Sequence, residues 1–383
     1  MNFASLDDIE ALALSRMDRN TRHYYESGAI DEKTMAANRA DFDRFLLRPR
    51  VLRNVSNIDL STTVLSCRVA WPVAFAPSAM HGLAHPDAEL GSAAAAKNTN
   101  TLMTLSSYST TTLEDVIAAP SKNIRETPFW LQLYVHTDRT ISETLLKRAE
   151  AAGYKALALT VDAPVLGRRL NDLRFKFAMP KHLKLKNFAP EQGVMTASER
   201  NANPDASRSQ KGSKADAALT WRDIAWLRGV TTMKIVLKGI MTPEDAILAC
   251  EYGVDGIIVS NHGGRQLDSS PSSISVLEEI VAVVDSFPGN GKAKPEVYMD
   301  GGIRRGTDVV KALALGAKVV FIGRPVLYGL AVGGSAGVEA VVSVLTEEIK
   351  VAMALCGVTN IEQLRREKCV VKRKFKGLEN FKL

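Results

Sequence analysis

Gly256-Ile257-Ile258-Val259-Ser260-Asn261-His262-Gly263-Gly264-Arg265-Gln266-Leu267-Asp268 joins two unlike pieces of chain. Its first four residues form an unbroken apolar run, as in a strand covered on both faces. The polar and glycine residues that follow are poorly explained by packing. The His262 imidazole is suited to act as a base near neutral pH. Three residues on, the Arg265 guanidinium suits a carboxylate held by two parallel hydrogen bonds. Gly263 and Gly264 admit backbone or ligand where a Cβ would clash. A base beside a carboxylate anchor is what a site for a small hydroxy or keto acid requires.

Working outward, the same unit recurs. Apolar runs stand at Val73-Ala74-Phe75-Ala76, Leu102-Met103-Thr104-Leu105, Trp130-Leu131-Gln132-Leu133-Tyr134 and Ala156-Leu157-Ala158-Leu159-Thr160-Val161. Others stand at Ile235-Val236-Leu237, Ile257-Ile258-Val259, Val297-Tyr298-Met299 and Val319-Val320-Phe321-Ile322. Helical patterns lie between them. Glu143 to Ala149 leads to a Gly153 stop, Thr242-Pro243-Glu244-Asp245 opens with a cap and a first-turn proline, and Thr307 to Leu313 ends at Gly316. Eight alternations predict an α/β chain folded as a (β/α)8 TIM barrel, with a doubly wound open sheet as the alternative. The expected single domain divides into a helical extension over 1–60, a barrel over 72–357 and a basic C-terminal tail over 358–383. One connection is oversized. From Asp162 to Lys234 the chain exceeds a helix and a turn, and its polar middle, Pro190 to Ala215, reads as a lid over the site or a disordered insertion.

Composition narrows the function classes. The 383 residues are 46% hydrophobic and carry a formal charge of +7, part of it at Lys368, Lys372, Arg373, Lys374 and Lys376. Aromatics are only 6%, so nothing complements that charge for nucleic-acid stacking. No unbroken apolar stretch reaches the roughly 18 residues that span a bilayer, and Asp7, Asp8 and Glu10 stand where a signal peptide needs an apolar core. Cys67, Cys250, Cys356 and Cys369 lack a metal or disulfide spacing and read as reduced thiols. A soluble intracellular protein without metal, nucleic acid or membrane is expected.

A barrel gathers its strand ends at one mouth. Thr160 and Asp162 follow the fourth run, and Lys238 the fifth. Ser260, His262 and Arg265 follow the sixth, Asp300-Gly301-Gly302-Ile303-Arg304 the seventh, and Gly323-Arg324 the eighth. The last two loops are where barrels most often hold a phosphate. No glycine-rich dinucleotide fingerprint or Walker loop is present.

These residues carry a resemblance. With Tyr24-Tyr25-Glu26-Ser27-Gly28-Ala29, Ala76-Pro77-Ser78-Ala79-Met80, Gln132-Leu133-Tyr134, Leu166-Gly167-Arg168-Arg169 and Phe321-Ile322-Gly323-Arg324-Pro325, the chain resembles the FMN-dependent 2-hydroxy-acid oxidases and dehydrogenases, glycolate oxidase most of all. The resemblance implies that His262 is the catalytic base and that Asp162 holds its other ring nitrogen. It implies that Tyr24 and Arg265 bind the substrate carboxylate, while Tyr134 and Arg169 contact the hydroxyl. Pro77, Ser78 and Ala79 would lie along the flavin, and Ser106, Gln132, Thr160, Lys238 and Ser260 would contact it. Asp300 would hold the ribityl chain, and Gly301, Gly302, Ile303, Arg304, Gly323 and Arg324 the phosphate end.

The implied reaction is FMN-dependent oxidation of small L-2-hydroxy acids to 2-keto acids, with O2 reduced to H2O2. A dehydrogenase using another carrier is the alternative, and a non-redox barrel binding a phosphorylated ligand the second. The family pattern has tryptophan where this chain has Tyr108, so acids larger than glycolate, such as L-lactate, are expected to enter. The resemblance further implies a homo-oligomer, commonly a tetramer. Phe381-Lys382-Leu383 matches a peroxisomal Ser-Lys-Leu address only in its last two positions, so the expected location is peroxisomal or cytoplasmic.

Overall fold

The computed structural model describes residues 2–123, 126–189, 192, 194, 215–289 and 293–372. Each of the eight apolar runs forms a strand: β1 (Val73–Phe75), β2 (Met103–Ser106), β3 (Phe129–Leu133), β4 (Ala156–Thr160), β5 (Lys234–Ile240), β6 (Gly256–Val259), β7 (Glu296–Asp300) and β8 (Val320–Ile322). All pair in parallel, and β8 returns to β1, closing the barrel.

Side-chain alternation explains why the strands read as continuously apolar. Ala74, Leu102, Trp130, Val236, Ile258, Tyr298 and Phe321 point into the barrel and form one cluster. Leu105, Leu131, Leu157, Leu159, Leu237 and Ile257 belong to the larger core shared with the helices. Inside, the Trp130 ring lies 5.5 Å from Tyr298 and 5.7 Å from Phe321. The centre is therefore packed rather than open; truncating Trp130 would cost about 3–5 kcal/mol.

The outer helices include α4 (Ala88–Thr99), α5 (Arg139–Ala152), α6 (Pro243–Glu251), α7 (Ser273–Ser286), α8 (Gly306–Ala314) and α9 (Arg324–Leu355), after an extension holding α1 (Leu6–Arg16), α2 (Arg19–Glu26) and α3 (Lys33–Ala40). The predicted signals operate. Thr242 Oγ1 accepts from Asp245 N at 3.2 Å to cap α6, and Gly153 ends α5 at φ 97.

Helix α9 corrects one expectation. It is 32 residues long, and an 18-residue window has mean hydropathy 1.5, enough by length and composition to cross a membrane. However, 56% of that window is buried in the fold, where α9 packs on α1 and α4. A helix enclosed by neighbours is apolar on most faces. Interspersed glycines and Ser335 hide this from a search for unbroken apolar runs.

The segment marked in the sequence only by its basic charge has structure of its own. Helix Ile361–Arg366 is followed by Val370–Lys372, which pairs antiparallel with Phe45–Leu47. Arg373, Lys374, Lys376 and the terminal Phe381-Lys382-Leu383 lie outside the described residues, as does most of Pro190 to Ala215. The borders of that connection are tied down. Asn187 Nδ2 donates to Ser109 Oγ at 2.8 Å, and Arg139 meets Asp216 at 2.8 Å and Asp223 at 3.0 Å. The four thiols are unpaired, three of them buried.

Candidate active site

The C-terminal ends of the strands surround a cavity of about 170 Å³. Its lining includes Tyr24, Pro77, Ser78, Ala79, Ser106, Tyr108, Gln132, Tyr134, Thr160, Arg169, Lys238, His262, Arg265, Asp300, Gly301, Gly302, Ile303, Arg304, Gly323 and Arg324. Asp162 and Ser260 touch this wall from behind, through His262 and Lys238.

His262 is held by its neighbours. His262 Nδ1 lies 2.8 Å from Asp162 Oδ1, and the carboxylate oxygen accepts, so this nitrogen carries the proton. Nε2 is then left as acceptor, 3.3 Å from the Tyr134 hydroxyl. Burial holds the His262 pKa below the ordinary imidazole value. Asp162 opposes that effect, while Lys238 and Arg169 reinforce it. Burial alone would raise Asp162, but the His262 and Lys238 charges bring it below the usual carboxylate range. Burial and the Asp162 charge push the Tyr134 hydroxyl upward, so it remains a phenol.

A second set of contacts centres on Lys238. This buried ammonium donates to Ser260 Oγ at 3.0 Å and pairs with Asp300 Oδ2 at 3.4 Å. Burial opposes its charge, yet Asp300 and Asp162 raise its pKa above the ordinary value. Ser260 Oγ also accepts from His262 N at 3.1 Å, linking the cation to the His262 backbone. Beside them, Gln132 Nε2 donates to Thr160 Oγ1 at 3.0 Å and its Oε1 accepts from Ser107 N at 3.2 Å.

The arginines have a double role. Arg265 Nη1 donates to the Tyr24 and Ser27 carbonyls at 2.8 and 2.7 Å. Arg324 Nε and Nη2 donate to the Tyr25 and Ser27 carbonyls at 2.8 and 3.1 Å. Both guanidiniums thus meet the C-terminal carbonyls of α2, the negative end of that helix. Arg265 keeps Nε and Nη2 without a protein hydrogen-bond partner among the described residues, and its guanidinium lies 5.1 Å from the centre of the Tyr24 ring. Arg304 Nε meets Glu10 at 3.2 Å. Burial lowers Arg324 and Arg169 to about 10, which still leaves both charged near neutrality.

Sequence reasoning missed several supports. Asn38 of α3 bonds Asn261, and Tyr25 donates to the Met80 carbonyl at 2.8 Å. Phe188 lies 5.7 Å from Tyr108, which itself stacks on Tyr134 at 5.3 Å. No local pattern marks these contacts, because each joins residues far apart in sequence.

The lining fits a flavin mononucleotide. Asp300 Oδ1 is buried without a hydrogen-bond partner among the described residues, as expected of a group awaiting a hydroxyl. Lys238 supplies a fixed buried cation, Gln132 and Thr160 an amide and a hydroxyl, and the Gly302–Arg304 and Gly323–Arg324 turns a basic, glycine-containing end. Two turns of positive φ, 101 at Gly301 and 83 at Gly302, bend that end around the docked extension. A Cβ at Gly302 would fall 1.9 Å from the Asn38 carbonyl oxygen.

Known proteins resemble this chain over nearly its whole length. The FMN-dependent dehydrogenase family matches residues 13–371. Glycolate oxidase 3 of Oryza sativa subsp. indica is 47% identical over 363 residues, covering 94% of this chain and 95% of that protein. Glycolate oxidase of Spinacia oleracea is 44% identical over 366 residues, covering 96% and 95%. A mandelate oxidase structure with benzoyl-formic acid superposes with a TM-score of 0.84 at 36% identity, covering 97% of this chain and 99% of that one. With a family match across nearly its whole length, the chain belongs to the FMN-dependent dehydrogenases.

Proposed function

We propose that the protein oxidises small L-2-hydroxy acids to 2-keto acids with FMN as cofactor and O2 as electron acceptor, forming H2O2. The observation that carries this reading is the pairing of His262 Nδ1 with Asp162 at 2.8 Å. It leaves Nε2 as a proton acceptor in a cavity that Arg169 and Arg265 also line.

Arg265 and Tyr24 hold the substrate carboxylate. Tyr134 and Arg169 hold the hydroxyl oxygen, and their donors strengthen as it becomes a carbonyl. His262 Nε2 takes a proton, and Asp162 stabilises the resulting imidazolium. FMN, when bound, supplies the two-electron sink. Lys238, Ser260, Gln132, Thr160 and Ser106 would hold its ring, and Pro77, Ser78 and Ala79 would lie along it. Asp300 would hold the ribityl chain, and Gly301, Gly302, Ile303, Arg304, Gly323 and Arg324 the phosphate. Lys238 would supply a buried positive charge that favours the reduced cofactor.

Substrate size is governed by Tyr108, which leaves more room than tryptophan and admits acids longer than glycolate. A homotetramer is the assembly the family resemblance supports. Val51, Leu52, Val351 and Leu355 are exposed apolar side chains that such a contact would cover.

The test is anaerobic. Addition of L-lactate or glycolate to the purified yellow protein should bleach the visible absorbance, and air should restore it within seconds. Slow return in air, with rapid return on adding an artificial electron acceptor, would assign the dehydrogenase reaction instead. A protein that remains colourless after FMN is supplied would overturn the reading and favour a barrel for a phosphorylated, non-redox ligand.

A further inference from the structure

Asn261 stands between Ser260 and His262 and has no part in the chemistry above, yet its carboxamide is fully engaged. Oδ1 accepts from Gly264 N at 3.1 Å and from Asn38 Nδ2 at 2.8 Å. Nδ2 donates to Asn38 Oδ1 at 2.8 Å and to the Pro271 carbonyl at 3.0 Å. The two carboxamides close a ring of two reciprocal hydrogen bonds. One belongs to the turn that carries the base, the other to α3 of the extension. Both side chains are buried, at 6% and 2% exposure, so breaking the ring strands polar groups away from water.

The turn they grip is unfavourable by itself. His262, Gly263 and Gly264 follow one another at φ 61, 63 and 75. The left-handed region suits glycine but is disfavoured for a residue with a Cβ, which meets the following carbonyl oxygen. Histidine keeps such a conformation only where its surroundings over-determine it. Asn261 supplies part of that constraint by closing onto Gly264 N. Helix α3 supplies another part by direct packing, since a Cβ at Gly264 would fall 2.7 Å from the Met35 backbone. Asn38 is further braced by Ser273 N, which donates to its Oδ1 at 3.3 Å.

We infer that Asn38 and Asn261 are positioning residues for the base. Their amide ring holds His262 in the left-handed conformation that sets Nδ1 on Asp162. It also makes the aim of the base depend on docking of the extension that brings Tyr24 to the same cavity. The inference rests on the role proposed above for His262.

Asn38→Ala is the test, because Asn38 touches neither the expected substrate nor the flavin ring. A crystal structure of this FMN-loaded variant should show His262 outside the left-handed region, or its Nδ1 beyond hydrogen-bond reach of Asp162. The limiting rate of anaerobic bleaching by L-lactate should fall at least about tenfold, the scale of loss from a small misplacement of a reacting group. KM should change less than about threefold, because Arg265 and Tyr24 keep their own contacts. Both changes are required. An unaltered turn overturns the inference, and so does an unaltered limiting rate, even if the melting temperature drops. Should Asn38→Ala fail to fold, Asn38→Asp keeps the volume, loses the donor to Asn261 and is judged identically. If the wild-type protein is not bleached by any hydroxy acid, the proposed function fails, and the crystal structure alone decides the positioning claim.

Discussion

Asp162 fills the space that a side chain on Gly239 would need: a Cβ there would fall 2.6 Å from the Asp162 Cβ. Gly239 adopts φ 119 at a register shift in β5, directly after Lys238. One glycine therefore lets the buried cation and the carboxylate partner of His262 approach from adjacent strands. Gly239→Ala should displace Asp162 and release His262. We expect kcat to fall about 10²-fold, as for a misplaced catalytic group, with FMN still bound. Steady-state kinetics and the visible spectrum of the variant check this.

His262→Asn should abolish bleaching by substrate while leaving the yellow protein intact. Loss of a general base typically costs about 10²–10⁴-fold, and asparagine does not take up the proton. Turnover near the wild-type level would assign the base elsewhere.

The pH profile follows from the same environment. His262 acts as a base only when neutral, and burial places its pKa below the ordinary imidazole value. The acid limb of kcat/KM, which reports the free enzyme, should therefore fall to half its plateau below pH about 6.5. Removing the negative charge in Asp162→Asn should move that limb further down while lowering the plateau. A limb above the ordinary value would mean that Asp162 outweighs burial.

The barrel was legible because strands covered on both faces are short, apolar and evenly spaced, and all eight runs from Val73 to Ile322 form strands. Thr160, Lys238, Ser260, His262, Asp300 and Gly323 were legible at the mouth because each ends or closely follows such a run, whereas Tyr24 and Arg169 were reached only through the family resemblance. What could not be read are contacts across the sequence. Nothing near Asn38 announces Asn261, and nothing in Arg265 or Arg324 announces that they clamp the end of α2. Helix α9 escaped for a related reason, since its apolar character is an average over a helix broken by glycines at a kink.

Lys238 and Asp300 form an ion pair with side chains 5% and 9% exposed. Lys238→Met strands the Asp300 carboxylate, and breaking a buried pair from one side costs about 3–5 kcal/mol. A lower melting temperature and weaker FMN retention should both follow. Adding Asp300→Asn should restore part of the stability but not the flavin, because charge balance is repaired and the cation is not. Separate measurement of the thermal transition and the bound absorbance distinguishes the two effects.

Tyr108 offers the most direct handle on substrate choice. Its ring stacks on Tyr134 at 5.3 Å and meets Phe188 at 5.7 Å, so it forms a wall braced on two sides. Tyr108→Trp enlarges that wall toward the substrate tail and should favour glycolate over L-lactate by about tenfold in kcat/KM, the scale of one methylene in a tight pocket. Tyr108→Ala should do the reverse, improving longer acids relative to glycolate while lowering kcat, because Tyr134 loses its support. Comparing kcat/KM across a series of 2-hydroxy acids of increasing length checks both directions. An unchanged ranking in both variants would place the tail elsewhere and remove Tyr108 from the specificity argument.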